Sequence, residues 1–176
     1  MRMRREPPIQ IKSPAQLERM REAGLVVARA LRAAVSAVGP GVTTAELDAI
    51  AEREIRAAGA VPSFKGYHGF PATICTSVND EIVHGIPSPD RRLAAGDLIS
   101  IDCGAIAAGW HGDAAVTVGV GAIDAETARL IEACETALWH GLALARPGSP
   151  IRGPILAYLN AIETEQSGRT AGQPGQ

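Results

Sequence analysis

The segment GDLISIDCGAIAAGWHGDAAVTV, residues 96–118, is the most informative part of the sequence for predicting the fold. It consists of two β-forming runs around a short stretch rich in alanine and glycine, which is the pattern of a β-hairpin. A two-residue loop at residues 107–108 would place Asp102 directly opposite Asp113, because opposed residues of a hairpin share one face of the sheet. The segment therefore predicts a pair of carboxylates close together on one surface.

The paired carboxylates suggest a metal site. Two like charges directly opposite each other destabilise a sheet without a compensating cation. Carboxylate oxygens suit hard divalent cations, and bridging carboxylates are typical of two-metal sites that activate a water. In the structural alternative, which fits the spacing equally well, one of Asp102 and Asp113 caps a turn and the other faces solvent. The register also stays open, because Ala107-Ala108 is a poor turn sequence and Gly104 or Gly109 could support a longer loop or bulge.

The sequence predicts helices before and after a sheet region that includes the hairpin. Capping-box signatures begin at Ser13 and Thr43, and short β-type runs broken by Gly, Pro and Asn-Asp fill residues 61–121. The predicted helices cover residues 14–38, 44–58 and 124–145. This order predicts an α+β domain with helices on one face of the sheet.

Composition narrows the class of protein. The chain has 176 residues, of which 46% are hydrophobic and only 3% aromatic, so a core of small aliphatic side chains is expected. The formal net charge is -2, with no basic excess of the kind that nucleic acid or anionic membranes select. These values predict one globular domain and indicate neither a nucleic-acid nor a membrane partner.

The cysteines and the N-terminal segment predict a cytoplasmic protein. Cys75, Cys103 and Cys134 form neither a CxxC pair nor an even disulfide set, which is typical of reduced thiols, and the first two read as small buried hydrophobes. The first eight residues are basic and then proline-rich without an apolar core, and no window reaches about 18 uninterrupted apolar residues.

Histidines supply the remaining candidate chemistry. His84 lies between an Asn-Asp turn and a Gly-x-Pro break, so its ring is predicted at a strand end, where it suits a proton donor. An ordinary surface or core histidine is the alternative, and His68 is equally ambiguous. His111, two residues from Asp113, could support a metal ligand or face solvent. The sequence lacks GxSxG, GxxxxGK[ST] and HExxH motifs.

Four motifs in order resemble the type I methionine aminopeptidases. They are YHGFP at 67–71, SVNDEIVHGIP at 77–87, Ile101-Asp102 and GWHGD at 109–113, and the resemblance extends over about residues 11–148. It implies the α+β pita-bread fold, in which two pseudo-symmetric halves enclose the metal site. It also implies removal of the initiator methionine from nascent polypeptides when the next residue is small.

The resemblance assigns roles to residues at matching positions. It implies that Asp102 and Asp113 are metal ligands, the second bridging two divalent ions, and that His84 binds and protonates around the scissile amide. It implies further that Tyr67, Phe70 and Cys75 line the pocket for the methionine side chain. The implied cofactors are divalent Co, Mn, Fe or Zn, two per complete site. The implied partners are the nascent N-terminus and, as a second candidate, the ribosome.

The C-terminal part departs from this family. The family supplies a His and two Glu ligands from its second half, and no matching motif follows Gly148. We therefore expect an N-terminal extension at 1–12, a partial catalytic domain at 13–148 comprising roughly the N-terminal half and a following helix, and a divergent, largely disordered tail at 149–176. Impaired catalysis is expected, since two carboxylates seldom hold a dinuclear site. The alternatives are a non-catalytic peptide- or ribosome-binding module and an inactive truncated gene product.

Overall fold

The computed structural model describes residues 10–148, which fall into two compact units divided between Gly121 and Ala122. The elements of the first unit are α1 (Pro14–Ser36), α2 (Thr44–Ala57), β1 (Val61–Pro62), a short 3-10 helix (Tyr67–Gly69), β2 (Ile74–Val78), β3 (Leu98–Ala107) and β4 (Trp110–Gly119). The described part of the second unit contains α3 (Ala125–Ala143). The predicted tail at 149–176 and most of the predicted extension at 1–12 lie outside the described residues, so those boundaries stay predictions.

The predicted helix starts are confirmed by their caps. The Ser13 hydroxyl accepts the N–H of Gln16, and the Gln16 side chain accepts the N–H of Ser13, so the capping box is complete. Thr43 and Glu46 form the same reciprocal pair at α2. All three helices end one or two residues earlier than predicted, at Ser36, Ala57 and Ala143.

The third helix has a simpler start. Asp124 is its N-cap, and the Asp124 carboxylate accepts the backbone N–H groups of Glu126 and Thr127 at 2.8 Å. The helix therefore begins at Ala125 rather than at the predicted residue 124. Within residues 10–148, every helix is too short or too polar to cross a membrane.

The sheet is built around β3. β4 pairs with β3 along its whole length in antiparallel fashion, and β2 and β1 pair antiparallel with successive parts of β3. The result is a four-stranded sheet in which β3 is hydrogen-bonded to every other strand. The predicted hairpin therefore contains the central strand, β3, of the sheet.

The turn of this hairpin differs from the predicted one. Ala107 pairs with Trp110, so the loop residues are Ala108 and Gly109, with φ of 48° and 81°. Positive φ at both loop positions is the requirement of a type I′ turn, whose twist matches that of the strands. Gly109 adopts this conformation without strain, whereas Ala108 carries a Cβ in the left-handed region.

The two carboxylates are consequently not directly opposite each other. Asp102 faces Ala115 and Asp113 faces Gly104, so the predicted register is wrong by two residues. Because side chains alternate with a period of two, a shift of two residues keeps every side chain on its face. Asp102 and Asp113 are therefore diagonal neighbours on the same face of the sheet.

The opposite face of β3 carries the core. Ile99, Ile101, Cys103 and Ala105 are all fully buried, in one cluster with apolar residues of α1 and α2. Most of the buried side chains are Ala, Val, Leu and Ile, as the composition predicts. Within the first unit, the expectation that helices cover one face of the sheet is confirmed for α1 and α2.

A glycine allows α1 to approach the sheet closely. An ideal Cβ on Gly112 of β4 would lie 2.6 Å from the carbonyl carbon and oxygen of Ala23 and 2.7 Å from the nitrogen of Gly24. These neighbours are backbone atoms of a helix, which cannot rotate away. Gly112 therefore fixes the distance between α1 and the strand that carries Asp113.

Candidate functional site

A cavity of about 550 Å³ opens on the face of the sheet that carries the two carboxylates. The six residues predicted to form the site all line it, namely Tyr67, Phe70, Cys75, His84, Asp102 and Asp113. The structure thus brings together residues from the 3-10 helix, two loops and three strands that are separated by up to 46 positions in the sequence. Their chemical roles remain predictions.

The two carboxylates of this lining are diagonal neighbours on the sheet. Diagonal neighbours in an antiparallel pair have Cα atoms about 7–8 Å apart, with the Cβ atoms somewhat closer. Asp113 is exposed, whereas Asp102 is half-buried, and its Oδ1 is buried without a hydrogen-bond partner in the described part of the chain. Burial, and then the charge of Asp113, raise the pKa of Asp102, while His84 opposes the shift. Burial and the charge of Asp113 thus outweigh the opposing effects of His84 and of the Cys103 backbone hydrogen bond on the pKa of Asp102.

The cross-strand partners of the two carboxylates are small residues. Ala115 and Gly104 are the cross-strand partners of Asp102 and Asp113. An ideal Cβ on Gly104 would lie 2.6 Å from Cε1 of Phe64, so the phenyl ring lies directly against the strand beside Asp113. Phe64 lines the cavity and is a site residue that the sequence analysis missed. Gly104 itself was the available signal, since glycine inside a strand often marks a close approach.

His84 reaches the cavity from a loop that runs back beside β2. Thr76 donates its N–H to the carbonyl of Gly85 at 2.9 Å, and the N–H of Gly85 donates to Oγ of Ser77 at 3.3 Å. These bonds fold the loop onto the strand, and His84 adopts a left-handed φ of 73°. The predicted placement at a strand end is therefore wrong, although His84 lines the same cavity as Asp102.

Cys75 belongs to the apolar part of the cavity. It is buried and lies directly opposite Asp102 in the β2–β3 pairing. Burial, followed by the charges of Asp102 and Asp113, raises the pKa of Cys75 to about 11. The thiol is therefore protonated at neutral pH and serves as a small apolar surface, as predicted for Cys75 and for the fully buried Cys103.

Two further histidines occupy different positions. His68 lines the cavity from the 3-10 helix, with φ of 46°, and its ring contacts the edge of Tyr67 at a centroid distance of 4.4 Å. His111 lies on the same face as Asp113 and is exposed, with Nδ1 at 3.3 Å from Oγ of Ser63. His111 thus contacts the segment after β1, and its role as a support for a ligand stays a prediction.

The donor set fits part of a metal coordination shell. Two carboxylates share one face, and the unpartnered Oδ1 of Asp102 is the kind of oxygen that a cation would satisfy. Across residues 10–148, no group of three or more His, Cys, Asp or Glu side chains is arranged to hold a metal ion. The described residues therefore offer two oxygen-bearing side chains to a divalent cation.

Comparison with known proteins places the chain in a family. Residues 18–168 match the model of metallopeptidase family M24, and the chain belongs to this family. Methionine aminopeptidase 1 of Mycobacterium tuberculosis (strain CDC 1551 / Oshkosh) is 53% identical over 153 residues, which cover 87% of this chain and 56% of that relative. The chain thus spans about half the length of this relative.

Solved structures agree with the family and with the fold. The crystal structure of methionine aminopeptidase from Rickettsia prowazekii is 34% identical with a TM-score of 0.87, covering 89% of this chain and 63% of that chain. Prolidase from Pyrococcus furiosus, at 24% identity and a TM-score of 0.78, covers 88% of this chain and 44% of that chain and shows the fold alone. The resemblance to methionine aminopeptidases and the pita-bread fold class are confirmed.

Proposed function

We propose that the cavity binds the N-terminal methionine of a polypeptide and that, with divalent cations at Asp102 and Asp113, the site removes this residue. The observation that carries the proposal is the juxtaposition, in one cavity, of an apolar wall and two carboxylates. An aminopeptidase needs both, because it must hold a side chain and activate a water at the adjacent amide. The relatives named methionine aminopeptidase support the same reading.

The apolar wall suits an unbranched thioether. Phe64, Tyr67 and Phe70 supply aromatic surface, and Cys75 supplies a small protonated thiol. Methionine is flexible and polarizable and makes favourable contacts between its sulfur and aromatic rings. We assign these four residues to the side-chain pocket.

The carboxylates supply the metal-binding end of the proposed site. Asp102 and Asp113 would hold a divalent cation, with Co, Mn, Fe or Zn as the candidates, and two ions are expected in a complete site. A bound cation would supply Lewis-acid polarisation of the scissile carbonyl and activation of a water. Residues 10–148 provide two of the side-chain ligands for this chemistry.

His84 is the proposed hydrogen-bonding group at the scissile amide. It lines the same cavity as the carboxylates, and its charge lowers the pKa of Asp102. An imidazole can donate a hydrogen bond or a proton at neutral pH. Nascent polypeptides in the cytoplasm are the proposed substrates, with the ribosome as a candidate partner.

Cleavage of a defined peptide tests the proposal. Any release of methionine from Met-Ala-Ser should require added Co(II), Mn(II) or Fe(II), and Asp102→Ala should abolish it. Asp97→Asn is the matched control, because Asp97 lies just before β3 and is hydrogen-bonded to Ala94 and Asn79 outside the cavity lining. Cleavage without metal would contradict the assignment.

A binding module without catalysis is the second candidate. It is favoured by the small number of metal-binding side chains among residues 10–148. Calorimetric titration with Met-Ala-Ser separates the two candidates. Peptide binding that a chelator leaves unchanged, together with no turnover under any metal, would favour the binding module.

A further inference from the structure

A carboxylate on α2 is hydrogen-bonded to the chain segment that joins two parts of the cavity lining. Oδ1 of Asp48 accepts the backbone N–H of Thr73 at 2.8 Å and that of Ile74 at 2.9 Å. The partners are 25 and 26 residues away in the sequence, so the bonds join separate parts of the fold. One oxygen thus holds two consecutive amides at the point where a loop enters β2.

The bonded amides lie between two parts of the cavity lining. Phe70 and Pro71 precede them, and Cys75 follows them directly. Thr73 precedes the first residue of β2, so its amide lies outside the strand pairing and a side chain supplies its acceptor. A movement at Thr73 would therefore move the aromatic wall, formed by Phe64, Tyr67 and Phe70, relative to Cys75 and the carboxylates.

The helix that carries Asp48 is a rigid support. Its residues Leu47, Ala51 and Ile55 are fully buried in the core cluster. Asp48 follows Leu47 directly, so its backbone is fixed by that packing. The hydrogen bonds to Thr73 and Ile74 transmit this rigidity to the loop.

The carboxylate occupies this position in spite of its burial. Burial raises the pKa of Asp48, and the hydrogen bonds from Ile74 and Thr73 oppose the shift. The charged neighbours act in opposite directions, Lys65 lowering the pKa of Asp48 and Glu52 raising it. A desolvated acid with two backbone donors points to a requirement for the loop geometry that it imposes.

We propose that Asp48 is a positioning residue that holds the aromatic wall of the cavity against α2 and thereby sets its fit to an unbranched apolar side chain. This inference rests on the proposed function for the identity of the ligand. The tie itself rests only on the two hydrogen bonds and on the location of Thr73 between Phe70 and Cys75.

Variants of Asp48 test the proposal through peptide affinity. We expect Asp48→Ala to weaken binding of Met-Ala-Ser, measured by calorimetry with Mn(II) present, on the order of tenfold. Asp48→Asn keeps an acceptor oxygen and should restore most of the affinity. Glu46→Ala is the matched control, because this α2 carboxylate also accepts two hydrogen bonds, both from Thr43, and is absent from the cavity lining.

Two local measurements report on the hydrogen bonds of Asp48 without any ligand. Hydrogen exchange of the Thr73 and Ile74 amides should be faster in Asp48→Ala than in the wild type or Glu46→Ala. In a Cys134→Ser background, a thiol reagent should label Cys75 faster in Asp48→Ala than in Asp48→Asn, which removes the same charge and the same effect on the pKa of Cys75 but keeps an acceptor oxygen. Asp48→Glu, which moves the carboxylate by one methylene, gives the same tests if Asp48→Ala does not fold.

The outcomes separate this proposal from the proposed function. Unchanged affinity and unchanged exchange in Asp48→Ala would overturn the positioning role, as would equal losses of affinity in Asp48→Ala and Glu46→Ala. Failure of the wild type to bind Met-Ala-Ser would contradict the proposed function instead. Exchange of the Thr73 amide and labelling of Cys75 would then still decide whether Asp48 holds the wall.

Discussion

Alternate residues of β3 form two chemically different faces, an apolar core face and a polar cavity face. On the core face, Ile99 and Ile101 are fully buried against α1 and α2. On the cavity face, Asp102 is half-buried with an unpartnered oxygen, and Gly104 lacks a side chain, which lets the Phe64 ring lie against the strand beside Asp113. Neighbouring residues about 3.3 Å apart along the chain thus have different physical tasks.

This difference shows where the fold gains and loses stability. Burial of aliphatic side chains on the core face is the main favourable contribution to folding. On the cavity face, desolvation and the charge of Asp113 both disfavour the ionised form of Asp102. A polar surface that costs stability is typical of a binding site.

The largest effect is expected on the core face. Ile101→Ala should lower the free energy of unfolding by about 2–5 kcal/mol, because a fully buried side chain is replaced by a cavity. Chemical denaturation measures this change. Asp102→Ala at the next position is the control and should cause no comparable loss; equal losses would contradict the division into two faces.

Glycine-to-alanine substitutions on the two faces of the sheet test the same difference. Gly112→Ala places a Cβ against backbone atoms of α1 and should cost about 1–3 kcal/mol of unfolding free energy. Gly104→Ala meets side-chain atoms instead of helix backbone, namely Cε1 of Phe64 at 2.6 Å and Cβ of Ser63 at 2.9 Å, and the Phe64 ring can rotate, so stability should fall less. Thermal denaturation and affinity for Met-Ala-Ser measure the two effects. The contrast fails if Gly104→Ala leaves peptide affinity unchanged.

The pH dependence of stability gives a smaller effect with a defined sign. The raised pKa of Asp102 means that the folded protein binds this proton more tightly than the unfolded chain does. Its contribution to stability therefore falls as the pH rises from the ordinary value of 3.8 through the folded-state pKa. Without metal, Asp102→Asn should be more stable than the wild type at neutral pH, and this difference should vanish in acid.

Asp97 should show the opposite sign. Hydrogen bonds from Ala94 and Asn79 lower the pKa of Asp97, so its ionised form stabilises the folded state. This contribution is present above 3.8 and is lost as the pH falls through the folded-state pKa. Asp97→Asn should therefore be less stable than the wild type at neutral pH. Denaturation curves at several pH values in chelator give both signs, and a common sign would refute the electrostatic contrast.

Local signals in the sequence predicted much of the fold. Ser13 and Thr43 specify helix starts through side-chain bonds that depend on only a few neighbouring residues. The hairpin and its shared carboxylate face were also predictable, since alternation along a strand is a local property. The family motifs then indicated which loop residues meet at the cavity.

Properties that depend on distant contacts were not predictable in the same way. The register depended on Ala108 adopting a left-handed conformation that alanine disfavours. The path of the His84 loop depends on hydrogen bonds to Thr76 and Ser77 of β2. The contribution of Asp48 arises from partners 25 and 26 residues away, and no local pattern marks it.

The cavity face is expected to bind a divalent cation through its two carboxylates. Calorimetric titration of the metal-free chain with Mn(II) should show stoichiometric binding that Asp113→Asn abolishes and Asp97→Asn retains. The physical reason is that Asp113 shares its face with the unpartnered oxygen of Asp102, whereas Asp97 already has hydrogen-bond donors. Equal binding by the wild type and Asp113→Asn, or no binding by the wild type, would contradict the assignment of this face as a metal-dependent site.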